Sequence, residues 1–234
     1  MPLFFADYNC HLLPYMQELF ADPYEAAKAL LLMHEKLGIR RFYMMPRYDK
    51  EESPITFCLR RKKALDILSK QLPDQIVLKA SVAVLFSKGL FETAYLERLL
   101  ISRSRRLLPI EMPLTPYEDW MDEELNHLLY VRHIKPIFLS FERCILLYPK
   151  EIVQKLMRID GACFQFSFSS LEDERIYKII LLLLRQGAPI CFGSGMNSLQ
   201  KVQTMEFNNS KDFYSQPFQR SMIEQLRRQK KLPF

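Results

Sequence analysis

Short apolar runs alternate with longer helical stretches along most of the chain, and this alternation limits the possible fold more than any other feature. Each run is bounded by glycine, proline or polar residues, which is typical of buried strands in a parallel sheet. The pattern predicts strands over residues 3–8, 41–45, 76–83, 107–112, 135–140, 162–167 and 189–193. It predicts helices over residues 23–37, 55–71, 90–102, 117–130, 149–158 and 171–186. Strands that alternate with helices in this way indicate an α/β fold of the barrel type.

The length of the chain fits one such barrel. The sequence has 234 residues, and α/β barrels of this size are commonly single domains. No linker or repeat interrupts the pattern, so we expect one domain over residues 1–234. A basic helix is predicted at its end, near residues 216–230.

Composition and charge exclude several classes of protein. The chain is 49% hydrophobic, with a net charge of +6 and an isoelectric point near 9.0. No apolar run approaches the roughly 20 residues that a membrane span requires, and the start of the chain does not resemble a signal peptide. Its five cysteines form no C-x-x-C pair, which favours free thiols in the cytoplasm. Basic clusters at residues 60–63, 103–106 and 227–231 lack a nucleic-acid motif, so we interpret them as solvated faces rather than a nucleic-acid site.

The first predicted strand ends in a polar sequence that is typical of a metal site. Asp7 is followed by Asn9 and His11. Positions i and i+2 of a strand point to the same face, so a His-x-His pair there would direct two imidazoles at one metal. Asn9 stands where the first of the two histidines would be needed, and an amide is a poor ligand for such a metal.

Six further strand ends carry related motifs, and together they resemble the PHP (polymerase and histidinol phosphatase) superfamily over about residues 3–200. The likeness is strongest to the metal-dependent tyrosine-protein phosphatases of bacterial capsule and exopolysaccharide gene clusters. The corresponding segments are Asp7 to Pro14, Met45-Pro46-Arg47-Tyr48, Ala80-Ser81, Ile110-Glu111-Met112-Pro113, Ser140-Phe141-Glu142-Arg143, Phe164 to Leu171 and Gly193-Ser194-Gly195-Met196-Asn197. The resemblance implies a distorted (β/α)7 TIM-like barrel, the PHP fold, in a cytoplasmic bacterial protein.

Most of the metal ligands that the resemblance implies are replaced. His11 and Glu111 remain as candidate ligands, and Glu18 is a weaker candidate. The other implied positions are held by Asn9, Arg47, Ser81, Ser140, Ser194 and Met196. One imidazole and one or two carboxylates cannot hold the metal cluster that activates water and clamps a phosphoryl group. Arg47 also puts a positive charge where a cation would sit. We therefore expect no cofactor.

The surviving residues allow more than one interpretation. His11 is either a residual ligand or a hydrogen-bonded histidine, and Glu111 is either a ligand or the partner of Arg47 or another cation. Arg47 and Arg143 either bind phosphate through their guanidinium groups or form salt bridges to Glu111 or Glu142. Residues proposed to line a ligand site with the two arginines are Asn9, Ser140, Ser194 and Asn197. The cysteines lack a phosphate-cradling loop, so cysteine catalysis is not expected.

Two functional hypotheses follow. The first is a pseudoenzyme that binds a phosphorylated or anionic ligand, or a protein partner, at the strand ends. The resemblance implies a tyrosine-rich or phosphorylated protein tail as that partner. The alternative is a metal-dependent phosphoester hydrolase of the protein-tyrosine phosphatase type, which would need manganese, iron or zinc in a rearranged site.

Overall fold

The structure is a computed structural model, and it describes residues 6–16 and 22–204. Short parallel strands alternate with helices, as the sequence predicts. The strands are β1 (Ala6–Cys10), β2 (Arg41–Met44), β3 (Arg47–Tyr48), β4 (Val77–Ala80), β5 (Ala83–Leu85), β6 (Leu107–Glu111), β7 (Lys135–Phe138), β8 (Cys163–Ser167) and β9 (Ile190–Gly193). The helices are α1 (Pro23–Leu37), α2 (Pro54–Ser69), α3 (Asp119–Asn126), α4 (Phe141–Leu147), α5 (Lys150–Met157), α6 (Glu174–Arg185) and α7 (Leu199–Thr204).

The helices begin and end at residues whose chemistry fits those positions. The side chain of Asp22 accepts a hydrogen bond from the backbone N–H of Tyr24, and Pro23 occupies the first turn of α1. Gly38 ends α1 in the left-handed conformation with φ of 71°, and its N–H donates to the carbonyl of His34. Asp173 caps α6 in the same way as Asp22 caps α1. Local sequence therefore fixes where these helices start.

The strands form two hydrogen-bonded groups in the orders β1-β2-β4 and β3-β5-β6-β7-β8-β9, and every strand pair is parallel. Two strand regions are each interrupted by a short break. One break separates β2 from β3, and the other separates β4 from β5. Pro46 lies in the first break and has no N–H for a ladder bond. Backbone bonds from Ser81 to Met44 (3.0 Å) and from Ala83 to Pro46 (3.0 Å) keep the halves aligned across both breaks.

The ends of β1 and β9 also meet. The N–H of Gly195 donates to the carbonyl of Asn9 at 2.8 Å, and the N–H of His11 donates to the carbonyl of Met196 at 2.9 Å. Gly193 makes this approach possible, because a Cβ at that position would run into the backbone nitrogen and Cβ of Asn9. The sheet therefore brings its first and last strands together at their carboxyl ends.

Two apolar regions lie on the two faces of the sheet. The larger packs the strands against the surrounding helices, with fully buried residues such as Phe42, Phe138 and Phe164. The smaller lies on the opposite face and contains Met45, Ala83, Leu107, Ile137, Leu139 and Cys163. Alternate residues of one strand thus serve the two sides, as the period of a strand requires.

Three predicted elements differ from the structure or fall outside it. The helix predicted over residues 90–102 is wrong: the chain forms two short 3₁₀ turns, Leu90–Glu92 and Leu96–Leu99, separated by Tyr95 with φ of 61°. Apolar spacing alone could not reveal that left-handed residue. The first residues of the strand predicted at 3–8 and the basic helix predicted at 216–230 lie outside the described residues. No helix in the described residues is long and apolar enough to cross a membrane.

Candidate functional site

An arginine pair meets one glutamate at the carboxyl ends of the strands. Arg47 begins β3, Glu111 ends β6, and Arg143 lies in the first turn of α4. The Nε and Nη2 atoms of Arg47 donate to the two carboxylate oxygens of Glu111, each at 3.0 Å. Nη1 of Arg143 donates to Glu111 Oε1 at 2.6 Å. The salt-bridge alternative for both arginines is therefore confirmed, and their partner is Glu111 rather than Glu142. We call these three residues the arginine–glutamate cluster.

The cluster keeps Glu111 ionised although the residue is largely buried. Burial opposes ionisation of this carboxyl, but the hydrogen bond from Arg143 and the charge of Arg47 outweigh it and hold its pKa below the usual value. The Arg47 side chain is 54% exposed and that of Arg143 is 32% exposed, whereas Glu111 is only 10% exposed. Two accessible cations thus cover one buried anion, so the cluster carries a net positive charge.

His11 lies close enough to the cluster for the charges of its residues to shift the pKa of the imidazole. The pKa of His11 is lowered to about 4, chiefly by burial; the charges of Arg47 and Arg143 contribute to this shift, and Glu111 opposes it. The ring also forms a hydrogen bond with the backbone of Met45. The imidazole is therefore neutral at physiological pH. This arrangement matches the hydrogen-bonded alternative for His11, and it leaves the positive charge of the site to the two arginines.

Asp7, the first polar residue of the strand-end sequence, ties β1 to the segment after β9. It is fully buried and accepts hydrogen bonds from Ser194 Oγ at 2.6 Å, from the Ser194 N–H at 2.8 Å and from the Asn9 N–H at 2.9 Å. Burial raises the pKa of Asp7, while these bonds oppose that shift. Ser194, one of the predicted ligand-site residues, is therefore used in holding the strands together.

Asn9 faces the same region from β1 and is joined to two neighbouring strand ends. The Ser140 N–H donates to Gln165 Oε1 at 2.8 Å, so this oxygen is an acceptor and Asn9 must present its amide nitrogen to it, at 2.9 Å. Ser140 Oγ lies 3.4 Å from the same nitrogen. Within the described part of the chain, Asn9 Oδ1 is buried and accepts no hydrogen bond.

The remaining predicted residues are more dispersed. Ser81 is fully buried, its Oγ lacks a partner among the described residues, and its carbonyl accepts from Arg61 Nη1 at 2.6 Å. Met196 packs against the main core. Asn197 follows it in the loop after β9 and is partly buried. Glu18 lies outside the described residues.

The cysteines beside the site are poorly suited to nucleophilic catalysis. All five are free. Burial raises the pKa of Cys10 well above its ordinary value and that of Cys144 to about 12. A thiol attacks as the thiolate, so neither group is activated at neutral pH. This agrees with the absence of a phosphate-cradling loop in the sequence.

The residues at the strand ends do not fit a metal cluster. Metals of this kind need several imidazole or carboxylate donors. Of the two implied ligands that remain, Glu111 gives both oxygens to the arginines, and His11 stands beside their positive charge. Within residues 6–16 and 22–204, no group of three or more histidine, cysteine, aspartate or glutamate side chains is arranged to hold a metal ion.

Sequence reasoning missed two residues that organise this site. Gln165 connects β8 to Asn9 and Ser140, and the signal was a single amide inside the apolar run Phe164-Gln165-Phe166. Gly193 allows β1 and β9 to approach, and the only signal was a glycine at the end of a predicted strand. Both act across long sequence separations, which a local pattern does not show.

The fold is similar to that of solved metal-dependent tyrosine phosphatases. The structures that it resembles include those reported for YwqE from Bacillus subtilis and CpsB from Streptococcus pneumoniae, unique metal-dependent tyrosine phosphatases. One of their chains superimposes with a TM-score of 0.63 and 17% sequence identity, over 97% of this chain and 96% of its own. The resemblance to these tyrosine phosphatases is thus confirmed at the level of the fold. No family model and no curated protein matches the sequence.

Proposed function

We propose that the chain is a pseudoenzyme with a PHP-type fold, and that it binds a phosphorylated or anionic ligand through Arg47 and Arg143 without a metal. The observation that supports this most directly is the arginine–glutamate cluster. Both guanidinium groups lie where the fold places its site, and both reach solvent more than their carboxylate partner does. Guanidinium groups bind phosphate oxygens through paired hydrogen bonds.

The proposed architecture is a single domain over residues 1–234 built on a distorted (β/α)7 barrel. The pairing of β1 with β2, the contact between β1 and β9, and the alignment of the divided strands support this closure. The organisms of the two similar phosphatases support a bacterial origin. We propose a cytoplasmic location and a role connected with capsule or exopolysaccharide synthesis on the basis of the sequence resemblance.

The phosphate of a phosphotyrosine side chain is the ligand that we propose for this site, carried on the tail of a partner protein. The phosphate would replace part of the contact between Arg47 and Glu111, because Arg47 is the more exposed arginine. Ser140 and Ser194, which were also predicted to line the site, are already held by Gln165 and Asp7.

Fluorescence anisotropy with a labelled phosphotyrosine peptide tests the proposal. We expect the wild-type chain to bind the phosphorylated peptide more tightly than its unphosphorylated form. The Arg47→Gln/Arg143→Gln variant should lose at least about tenfold in affinity, because each charge-assisted hydrogen bond contributes roughly 1.5–3 kcal/mol. Equal affinity of wild type and variant for the phosphorylated peptide would refute the role of the arginines.

Two further variants separate binding from folding and from overall charge. Arg47→Gln/Arg143→Gln/Glu111→Gln removes the buried carboxylate as well, so no unpaired anion remains. It should fold better than the double variant and still not bind. Arg98→Gln/Arg185→Gln removes the same charge from exposed arginines away from the strand ends and should bind as wild type.

The alternative function, a metal-dependent phosphoester hydrolase, makes a different prediction. It requires near one equivalent or more of manganese, iron or zinc in the purified protein and hydrolysis of an aryl phosphate that a chelator abolishes. We expect less than about a tenth of an equivalent of metal and no hydrolysis, since cluster-type sites need several donors. Chelator-sensitive turnover that is lost in His11→Asn would establish the hydrolase instead.

A further inference from the structure

A cleft of about 460 Å³ lies between two helices at the amino-terminal ends of β7 and β8. One wall is α3 with the turn that continues it, and the other is the end of α5 with the loop that leads into β8. On the first wall the lining residues recur every three or four positions from Asp122 to His133, so they form one helical face. A cleft of this volume can hold a small organic molecule. None of the three residues of the arginine–glutamate cluster lines it.

The floor of the cleft is apolar. Leu125 of α3 and Leu156 of α5 are buried members of the main core, and Ile159 packs against that core. Leu129 is partly buried beside them, and Tyr130 stands at the edge with 73% of its surface exposed. An apolar group that filled the cleft would remove this surface from water, which is favourable. The floor therefore suits a ligand with an apolar body.

An ion pair joins the two walls. The amino group of Lys155, on α5, lies 2.6 Å from Asp122 Oδ1 on α3. The hydroxyl of Tyr117 donates to the same oxygen at 2.6 Å. Because these bonds connect α3 to α5, the cleft is formed before any ligand arrives. The charges of Lys155 and Asp122 are already used in this contact, so a ligand would have to be recognised by other groups.

The backbone of the first wall is irregular where it lines the cleft. His127–Val131 form a π-helical turn, a rare conformation that often occurs at functional sites. His133 ends this wall with φ of 52°, in the left-handed region that is unfavourable for a residue with a Cβ. The guanidinium of Arg106 holds this bend by donating to the carbonyls of Arg132 at 2.7 Å and of His133 at 3.1 Å. The fold thus maintains an unfavourable conformation beside the cleft, which is typical of functional sites.

Charged groups of both signs line the cleft beside the apolar floor. Lys135, Arg158 and Asp160 are exposed, and within the described part of the chain none of them forms a salt bridge. The amino group of Lys135 lies against Gly161, the residue after Asp160, where a Cβ would be only 2.5 Å from Nζ. The glycine therefore leaves room for this amino group next to the loop that carries Asp160. Two cations and one carboxylate thus remain available to a ligand.

We propose that this cleft binds an α-amino acid with a large apolar side chain. Such a molecule carries a carboxylate and an ammonium side by side, next to an apolar group, and the cleft offers the complementary groups. Arg158 and Lys135 would bind the carboxylate, Asp160 would bind the ammonium, and the side chain would lie on the apolar floor. This site is separate from the arginine–glutamate cluster and does not depend on the function proposed for that cluster.

Isothermal titration of the full chain with L-phenylalanine and two blocked forms tests the proposal. We expect L-phenylalanine to bind with a Kd of about 1 mM or lower. N-acetyl-L-phenylalanine lacks the ammonium and L-phenylalaninamide lacks the carboxylate, so each should bind about tenfold more weakly. Absence of L-phenylalanine binding up to about 5 mM would overturn the proposal. Binding of either blocked form as tightly as L-phenylalanine would also overturn it, because the site would then not recognise both charges.

Charge variants place the binding in the cleft. Lys135→Gln/Arg158→Gln removes the two cations and should lower the affinity for L-phenylalanine about tenfold. The control Lys62→Gln/Lys63→Gln removes two exposed lysines of α2 and should leave the affinity within about twofold. Equal binding by wild type and Lys135→Gln/Arg158→Gln would overturn the proposal.

A variant that fills the cleft gives a test that does not depend on charge. Asn126→Trp changes an exposed lining residue of α3, so it should fold and should abolish binding. Glu123→Trp is the matched control, because it is exposed on the same helix but does not line the cleft. The Arg47→Gln/Arg143→Gln/Glu111→Gln variant should bind L-phenylalanine as wild type does. Wild-type affinity in Asn126→Trp, or loss of binding in the triple variant, would show that the ligand binds elsewhere.

Discussion

Both ends of the strands carry cations, but the two ends differ in whether a carboxylate is paired with those cations. At the carboxyl-terminal end, Arg47 and Arg143 share the carboxylate of Glu111, so the site is ordered and partly neutral before any ligand arrives. At the amino-terminal end, Lys79, Arg105 and Lys135 have no carboxylate partner in the described part of the chain. An anionic ligand that binds at the first end must therefore compete with Glu111 for the two guanidinium groups.

This difference shows how much a fold alone can say about function. Barrels of this class carry their chemistry at the carboxyl ends of the strands, and the fold directs attention there. In this chain that end holds an internal ion pair, and no set of metal donors lies among the described residues. The predictions below test each end against the other.

The largest effect is expected where β1 and β9 meet. Gly193→Ala places a Cβ against the backbone of Asn9, which cannot move away without breaking strand contacts. We expect the free energy of unfolding in urea to fall by about 3 kcal/mol. The matched control is Gly187→Ala, where a Cβ meets nothing within 4 Å and only the positive φ is unfavourable; its cost should be about 1 kcal/mol. Equal losses would mean that the strand contact is loose.

Acid should destabilise the carboxyl-terminal end through His11. The pKa of this residue is lowered to about 4 by burial, from 6.5. Between these values the unfolded chain binds a proton that the folded chain does not, so the free energy of unfolding falls as the pH decreases. From pH 7 to pH 5 the contribution of His11 is about 2 kcal/mol.

Chemical denaturation at the two pH values measures this effect. His11→Asn should remove most of the difference that His11 contributes. His133→Asn is the control at the opposite end, where the histidine is exposed, and it should keep the wild-type dependence. A pH dependence that is unchanged in His11→Asn would show that another group is responsible.

Glu111→Gln should affect stability and binding in opposite directions at the same end. The variant leaves two partly exposed guanidinium groups without their carboxylate, so we expect a loss of about 1 kcal/mol of stability after allowance for solvent screening. Removing the internal competitor should also strengthen binding of a phosphotyrosine peptide. Anisotropy and thermal unfolding of one sample report both quantities. Weaker peptide binding would contradict the role of Glu111 as a competitor.

The smallest effect is expected at the amino-terminal end. Lys79→Gln/Arg105→Gln removes two like charges that lack a counter-charge, so it should raise the free energy of unfolding by at most about 0.5 kcal/mol in low salt. The gain should disappear when salt is added, because exposed charges are then screened. Urea denaturation at two ionic strengths measures it. A loss of stability in low salt would show that these cations have partners of their own.

The sequence predicts the alternating fold well because each strand is a short apolar run with clear ends. It does not predict the division of two strands, which depends on Pro46 and on the pairing of both halves with different neighbours. The prediction of a helix over 90–102 was also wrong because of local backbone conformation. Its apolar spacing is helical, but Tyr95 adopts a left-handed conformation that the spacing does not encode.

The residue types of the candidate site could also be predicted, but not their contacts. Arg47, Glu111 and Arg143 were recognised as a possible ion-paired group from their positions at strand ends. The sequence does not show that one carboxylate binds both arginines, because this depends on side-chain geometry. Glu111 is 64 positions from Arg47 and 32 positions from Arg143 in the chain. Gln165 was passed over as a site residue, because its partners Asn9 and Ser140 are distant in the sequence.

The shared carboxylate of Glu111 has a consequence for any attempt to give this protein a metal. Asn9→His or Ser140→His alone would add a donor while Glu111 stayed bonded to both guanidinium groups, so neither change would produce a usable ligand set. Arg47 would have to be replaced first, at a cost in stability and with no catalytic return. The order of substitutions is therefore constrained. The ion pair separates this sequence from the similar metal-dependent phosphatases by several changes that would be useful only together.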